Sequence, residues 1–227
     1  MVIINFLAGL FRANSAEINM KHISKNTQKD VISEDLPRIS KLLHLKFWGI
    51  PLGKSLETFN NFLINKGYAL SEYNNKYDNK ILFNAKGCTE EFLGYGTSIY
   101  LHFGPYSSSV YKLEIILSKF PEKKIIDIYK ELYPLLLQKY GKPLRDDNIQ
   151  NMGIANEKGL LFSLPEGDIS LIFKKASFSY NYFLYLTYED KSTFDDVKDE
   201  LIQFRNEVLS KKEQEKFEYN QKIIKDI

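Results

Sequence analysis

A chain of 227 residues makes one domain or at most two, and 44% hydrophobic with 26% charged residues is an ordinary globular balance. Thirty-one basic against 29 acidic side chains leave a net charge of +2, which excludes a strong electrostatic case for nucleic acid. The single cysteine, Cys88, excludes an intramolecular disulfide framework and a thiolate-rich zinc site, and no apolar run approaches the roughly 20 residues a membrane-spanning helix needs.

Met1 to Phe11 is a short apolar run followed by Arg12 and small residues through Ala16. Two readings stand: an export signal ending near residue 16, or an ordinary buried segment, since no Lys or Arg precedes the run. Residues 17–44 are polar and weakly patterned, a lead-in to a single domain over 45–210. Ser55 is placed to cap a helix whose Leu56, Phe59, Phe62 and Leu63 share one face, and Gly67 ends it. Three strand-like runs follow near 80–86, 92–103 and 109–118, the last two joined by turn residues Gly104 to Ser107. In the third run Tyr111, Leu113, Ile115 and Leu117 alternate with Lys112, Glu114 and Ile116, the pattern of a sheet with one buried face.

A second helix starts near Pro121, keeps Ile125, Tyr129, Leu132, Leu136 and Tyr140 at helical spacing, and closes at Gly141. Pro134 inside it predicts a kink or a break. Strands resume near 159–164, 168–176 and 179–188, and a third helix follows Ser192. Its apolar spacing, Phe194 to Val208, stops at Lys211, and 211–227 reads as a charged, fraying helical tail rather than a coiled coil. The order helix-βββ-helix-βββ-helix predicts an α+β fold, antiparallel sheet packed by helices, and hints at internal duplication.

Phe47 to Pro51 with Lys66-Gly67-Tyr68, Phe92 to Tyr95 and Lys139 to Pro143 form an F-x-G-I-P … K-G-[FY] … K-Y-G-x-P pattern. Over residues 47–143 this resembles a family of uncharacterised Bacteroidales α+β proteins, many of them exported. The resemblance implies a compact α+β domain and supplies no chemistry. Its layout is similar to small inhibitor-like and lipoprotein-like modules, by analogy alone.

The motifs that would carry chemistry dissolve one by one. Gly49 to Ser55 is one residue short of a phosphate-binding G-x-x-x-x-G-K-[ST] loop, and Pro51 removes an N–H the loop requires, so Ser55 reads as a helix cap. Cys88 with His102 lacks any nucleophile motif, and His22, His44 and His102 are too scattered for a metal set. Asp146-Asp147 and Asp195-Asp196 sit at helix boundaries, the second pair read as a first-turn pair favouring the dipole. No catalytic residue, cofactor or metal is assigned.

What remains is aromatic surplus: 16 Phe, 15 Tyr and one Trp. Ile99, Leu101 and Phe103 share one face of their strand, with Tyr100 and His102 opposite; Tyr182, Leu184, Leu186 and Tyr188 oppose Phe183, Tyr185 and Thr187. If helices cover one face, the other presents Tyr100, His102, Phe183 and Tyr185 to a protein or glycan partner, with the loop from Trp48 to Gly53 as a second binding element. The plainer reading is that both faces are covered, or that the tyrosines fill a half-exposed sheet. A binding module, exported or envelope-associated, is the leading expectation. A hydrolase or transferase using His102, and a cytoplasmic immunity-type protein, are the alternatives.

Overall fold

The computed structural model describes residues 44–71, 80–84, 97–147, 157–175 and 182–225. The first of these form a small hairpin, β1 (Lys46–Phe47) and β2 (Ile50–Pro51). Its turn residues Trp48 and Gly49 have φ of 50° and 82°, the positive values a type I′ turn requires. A bulky residue is rarely found there, and the Trp48 ring is held by Phe47 at 4.5 Å, Phe62 at 5.5 Å and Tyr68 at 6.0 Å.

Helix α1 (Leu56–Asn65) begins at Ser55, whose hydroxyl accepts the Thr58 N–H at 3.4 Å. It stops at Gly67, where Gly67 N–H reaches Ile64 C=O and Tyr68 N–H reaches Leu63 C=O, a Schellman closure that needs φ near +84°. Helix α2 (Glu122–Tyr140) buries Ile125, Ile128, Tyr129, Leu132 and Leu136, and ends on the Gly141 N–H bond to Leu137. It runs through Pro134 without the predicted break. Pro134 and Lys130, whose carbonyl loses its N–H partner to the proline, both lie on the exposed side of the helix.

The strands β3 (Ala69–Ser71), β4 (Lys80–Asn84), β5 (Thr97–Phe103), β6 (Val110–Phe120), β7 (Arg145–Asp146), β8 (Glu157–Leu164), β9 (Gly167–Lys175) and β10 (Tyr182–Asp190) form one sheet in the order β3-β4-β5-β6-β10-β9-β8-β7. Every neighbouring pair is antiparallel. The fold is therefore α+β with a large antiparallel sheet. Each run of three strands expected from the sequence is preceded by a short one, β3 or β7, at an outer edge of the sheet.

The two meanders meet where β6 lies beside β10, with Ile115 opposite Leu186 and Leu113 opposite Tyr188. The face they share with Phe83, Ile99, Leu101, Leu171, Phe173 and Phe162 is packed against Phe59 and Leu63 of α1 and the apolar stripe of α2 in one core.

The last helix, α3 (Lys191–Lys225), follows β10 directly and continues unbroken beyond Lys211. Its cap is Asp190, two residues before the expected start. The Asp190 carboxylate is fully buried, and Oδ1 accepts the Thr193 N–H at 2.9 Å and the Thr193 hydroxyl at 2.7 Å. Oδ2 accepts the Leu45 N–H at 2.8 Å, and His44 Nδ1 lies 3.1 Å from Oδ1. One carboxylate thus caps a helix and anchors the first described residues. Asp195 and Asp196 fall in the second turn, not the first, because the helix starts earlier than the serine signal suggested.

Gly53 completes this corner. At φ +92° its Cα faces Thr193 and His44 so closely that a Cβ would lie 2.8 Å from the Thr193 hydroxyl.

Candidate functional site

With α1 and α2 on one side of the sheet, the alternate residues of each strand point to the other side, where none of the described side chains is fully buried except at Gly159. Register places them in rows. Lys80, His102, Lys112, Glu189 and Asp168 form one row across β4, β5, β6, β10 and β9. Leu82, Tyr100, Glu114, Thr187, Ser170 and Leu161 form the next. Ser98, Ile116, Tyr185 and Ile172 form a third, with Phe183 opposite Lys174 beyond it. The four sheet residues singled out from the sequence, Tyr100, His102, Phe183 and Tyr185, therefore share one face. Trp48 does not join them. Its contacts with Phe62 and Tyr68 place it with α1, on the helix-covered side.

The centre of the face is ionic. His102 Nε2 lies 2.9 Å from Glu114 Oε2, and Lys112 Nζ lies 3.1 Å from Glu114 Oε1 and 3.7 Å from Glu189. Burial alone would raise the Glu114 carboxyl, but the hydrogen bond and charge of His102, with the Lys112 ammonium, outweigh it and hold the carboxyl at about 2. Aromatic rings border this cluster. The Lys80 ammonium sits 5.1 Å over Tyr100, the Tyr111 ring is 6.1 Å from His102, and Phe183 and Tyr185 are 6.2 Å apart. Burial, with the Glu114 charge second, pushes the Tyr185 phenol up, so it stays a neutral hydrogen-bonding group.

Tyr111 departs from its expected face for a reason in the register. Lys112 pairs with His102 and Val110 with Phe103, so Tyr111 is an extra residue on β6 at a bulge, turned toward His102 and Phe194. Beyond that bulge the tip of the β5–β6 hairpin is gripped by α3. Glu200 accepts the Tyr106 and Ser107 N–H groups at 3.0 and 2.9 Å, and Val197 packs against Gly104.

Asp146, Asp147 and Asp195 have structural partners. Asp146 accepts the Tyr133 hydroxyl at 2.7 Å, and Asp147 pairs with Arg145 at 2.5 Å while accepting the Gly159 N–H. Asp195 lies 3.9 Å from Lys198. Ser55 is the cap it was expected to be. Cys88, His22 and Phe92 to Tyr95 lie outside the described residues. Among the described residues no group of three His, Cys, Asp or Glu side chains gathers as a metal set, and no helix is long and apolar enough to cross a membrane.

Glu114, Lys112 and Glu189 are the face's residues that the sequence reading passed over. Strand parity marks Lys112 and Glu114 as sharing a face; what it lacks is the β6–β10 pairing that brings Glu189 beside them. No family model, no curated protein and no solved structure matches this chain.

Proposed function

We propose that the chain is a non-catalytic binding module whose open sheet face receives a folded protein partner. The observation that carries this reading is the convergence of Tyr100, His102, Phe183 and Tyr185 on the face opposite α1 and α2. Tyrosines supply large contact area for little rotamer entropy, and they are enriched where protein interfaces draw most of their binding energy.

Size favours a protein over a single glycan. Six central strands at ~4.8 Å spacing and about 20 Å of strand length give a projected ~500 Å² before side-chain relief, on the order of one side of a standard interface at ~800 Å². The mixed rows of charge beside tyrosine and isoleucine fit the polar-rimmed chemistry of such interfaces. The two helix-plus-strand halves, mirrored about β6 and β10, are read as copies of one unit, which doubles the width of the face.

The test is a comparison of wild type with a Tyr100→Ala/Tyr185→Ala variant, each used as bait in extracts of the native cell. A captured protein is then identified and its affinity measured with purified components, and amide-exchange footprints are recorded on β5, β6, β9 and β10. The expected result is at least a tenfold loss of affinity in a variant that melts cooperatively, with protection on those strands. Unchanged affinity, or a footprint on the helical side, overturns the reading.

A further inference from the structure

Helix α3 carries two apolar stripes. Val197, Leu201, Phe204 and Val208 face its own domain and are buried or half-buried. At ~100° per residue, Ile202, Leu209 and Phe217 fall on the far side of the helix, and they are 59%, 41% and 63% exposed. With Asn206 and Glu213 between them, these positions follow the three–four spacing of a helix–helix seam. From Leu209 to Tyr219 every side chain is exposed, so this half of a helix about 52 Å long stands away from the body that packs its first half. A helical stretch of that length without packing is marginal in water, because helix stability in proteins comes mostly from a buried face.

The charge pattern identifies what would cover the stripe. Residues 191–207 carry five acids and three bases, and residues 208–225 carry five bases and three acids. Two copies of α3 laid parallel would stack acid on acid and base on base, with Arg205 on Arg205 and Glu213 on Glu213. Laid antiparallel, the acidic half of one meets the basic half of the other. The apolar spacing fits the same arrangement: with Ile202 opposite Phe217, the two-fold axis passes between Leu209 and Ser210. Arg205 then comes to Glu213 of the second copy and Lys216 toward Asp199 of the second copy.

We infer that α3 is a dimerisation helix that pairs antiparallel with α3 of a second copy of this chain, through Ile202, Leu209 and Phe217. The seam uses none of the side chains that form the sheet face. Like charges flanking the parallel alternative give the orientation its specificity.

Sedimentation of the full chain from 5 to 500 μM tests the association, and cysteine cross-linking tests its geometry. The wild type is expected to pass from monomer to dimer within that range. Ile202→Glu/Phe217→Glu, which alters only exposed side chains, is expected to raise the dissociation constant at least tenfold, with an unchanged melting transition at a concentration where both proteins are monomeric. In a Cys88→Ser background, Ile202→Cys mixed with Phe217→Cys is expected to form a disulfide-linked pair under mild oxidation, while neither variant alone does. A monomer at every concentration overturns the inference. So does a dimer that ignores the double substitution, and so does efficient linking of Ile202→Cys or Phe217→Cys to itself, which would mean a parallel pair.

Discussion

Glu114 is half-buried in the open face of the sheet, where losing water disfavours its charge while the hydrogen bond to His102 and the Lys112 ammonium restore it. The partners win, so the carboxyl lies at about 2 when folded against an ordinary value of 4.5. Because the folded value is the lower one, the unfolded chain takes up the proton first as pH falls. The stabilisation is therefore complete above about pH 4.5 and is lost progressively down to about pH 2. The gap sets an upper limit of ~3 kcal/mol, which partial solvent screening cuts to about 1–2 kcal/mol. Glu114→Gln removes the charge at every pH. Urea unfolding at pH 7 is expected to find the variant less stable by that amount, and at pH 2.5 to find most of the difference gone. A difference that stays constant across the range would mean that Glu114 contributes by packing or neutral hydrogen bonding alone.

At the scale of the element, α2 shows a helix former and a helix breaker in one segment. Five buried apolar residues fix the helix from Ile125 to Leu136, and that packing outweighs a proline at position 134. The proline still costs a backbone hydrogen bond and a clash with the preceding turn, about 3 kcal/mol in an unsupported helix interior, offset by about 1 kcal/mol from stiffening the unfolded chain. Pro134→Ala is accordingly expected to raise unfolding stability by about 1–2 kcal/mol in chemical denaturation; a loss of stability would show that the local helix geometry is built around the ring. The same balance explains what the sequence disclosed. Helices and long strands announce themselves because the buried positions recur with a period, as at Ile125 to Tyr140 or Leu113 to Leu117. Strands β3 and β7, two or three residues long, have no period to read. From the sequence the start of α3 falls two residues late, because both Asp190 and Ser192 suit a cap and the choice between them rests on the Leu45 N–H, which lies far away in the chain. Face parity placed Tyr100, His102, Phe183 and Tyr185 correctly relative to their strands, while Trp48 could not be assigned a side, since its contacts with Phe62 and Tyr68 depend on how the β1–β2 hairpin docks.

For the whole molecule, the decisive contact is the ladder between β6 and β10, since it alone makes one sheet of two meanders. Without it the row from Lys80 to Asp168 would be two separate rims, and Tyr100 and Tyr185 would have no common surface. Leu186 lies at this seam, buried and opposite Ile115, with Leu171 on its other flank and the apolar stripe of α2 in the same core. Truncating it to alanine deletes buried methyl groups that both halves share and leaves a cavity, at a cost of about 2–5 kcal/mol. If the core is continuous across the seam, that loss belongs to both meanders equally. Amide exchange of Leu186→Ala is then expected to show the slowest protons of β5 and β6 falling in protection by the same amount as those of β8 and β9. A loss confined to β8, β9 and β10 would mean that the halves open as separate units. In that case the face they form together would be assembled only part of the time, and the affinity of any partner that spans it would be reduced by that fraction.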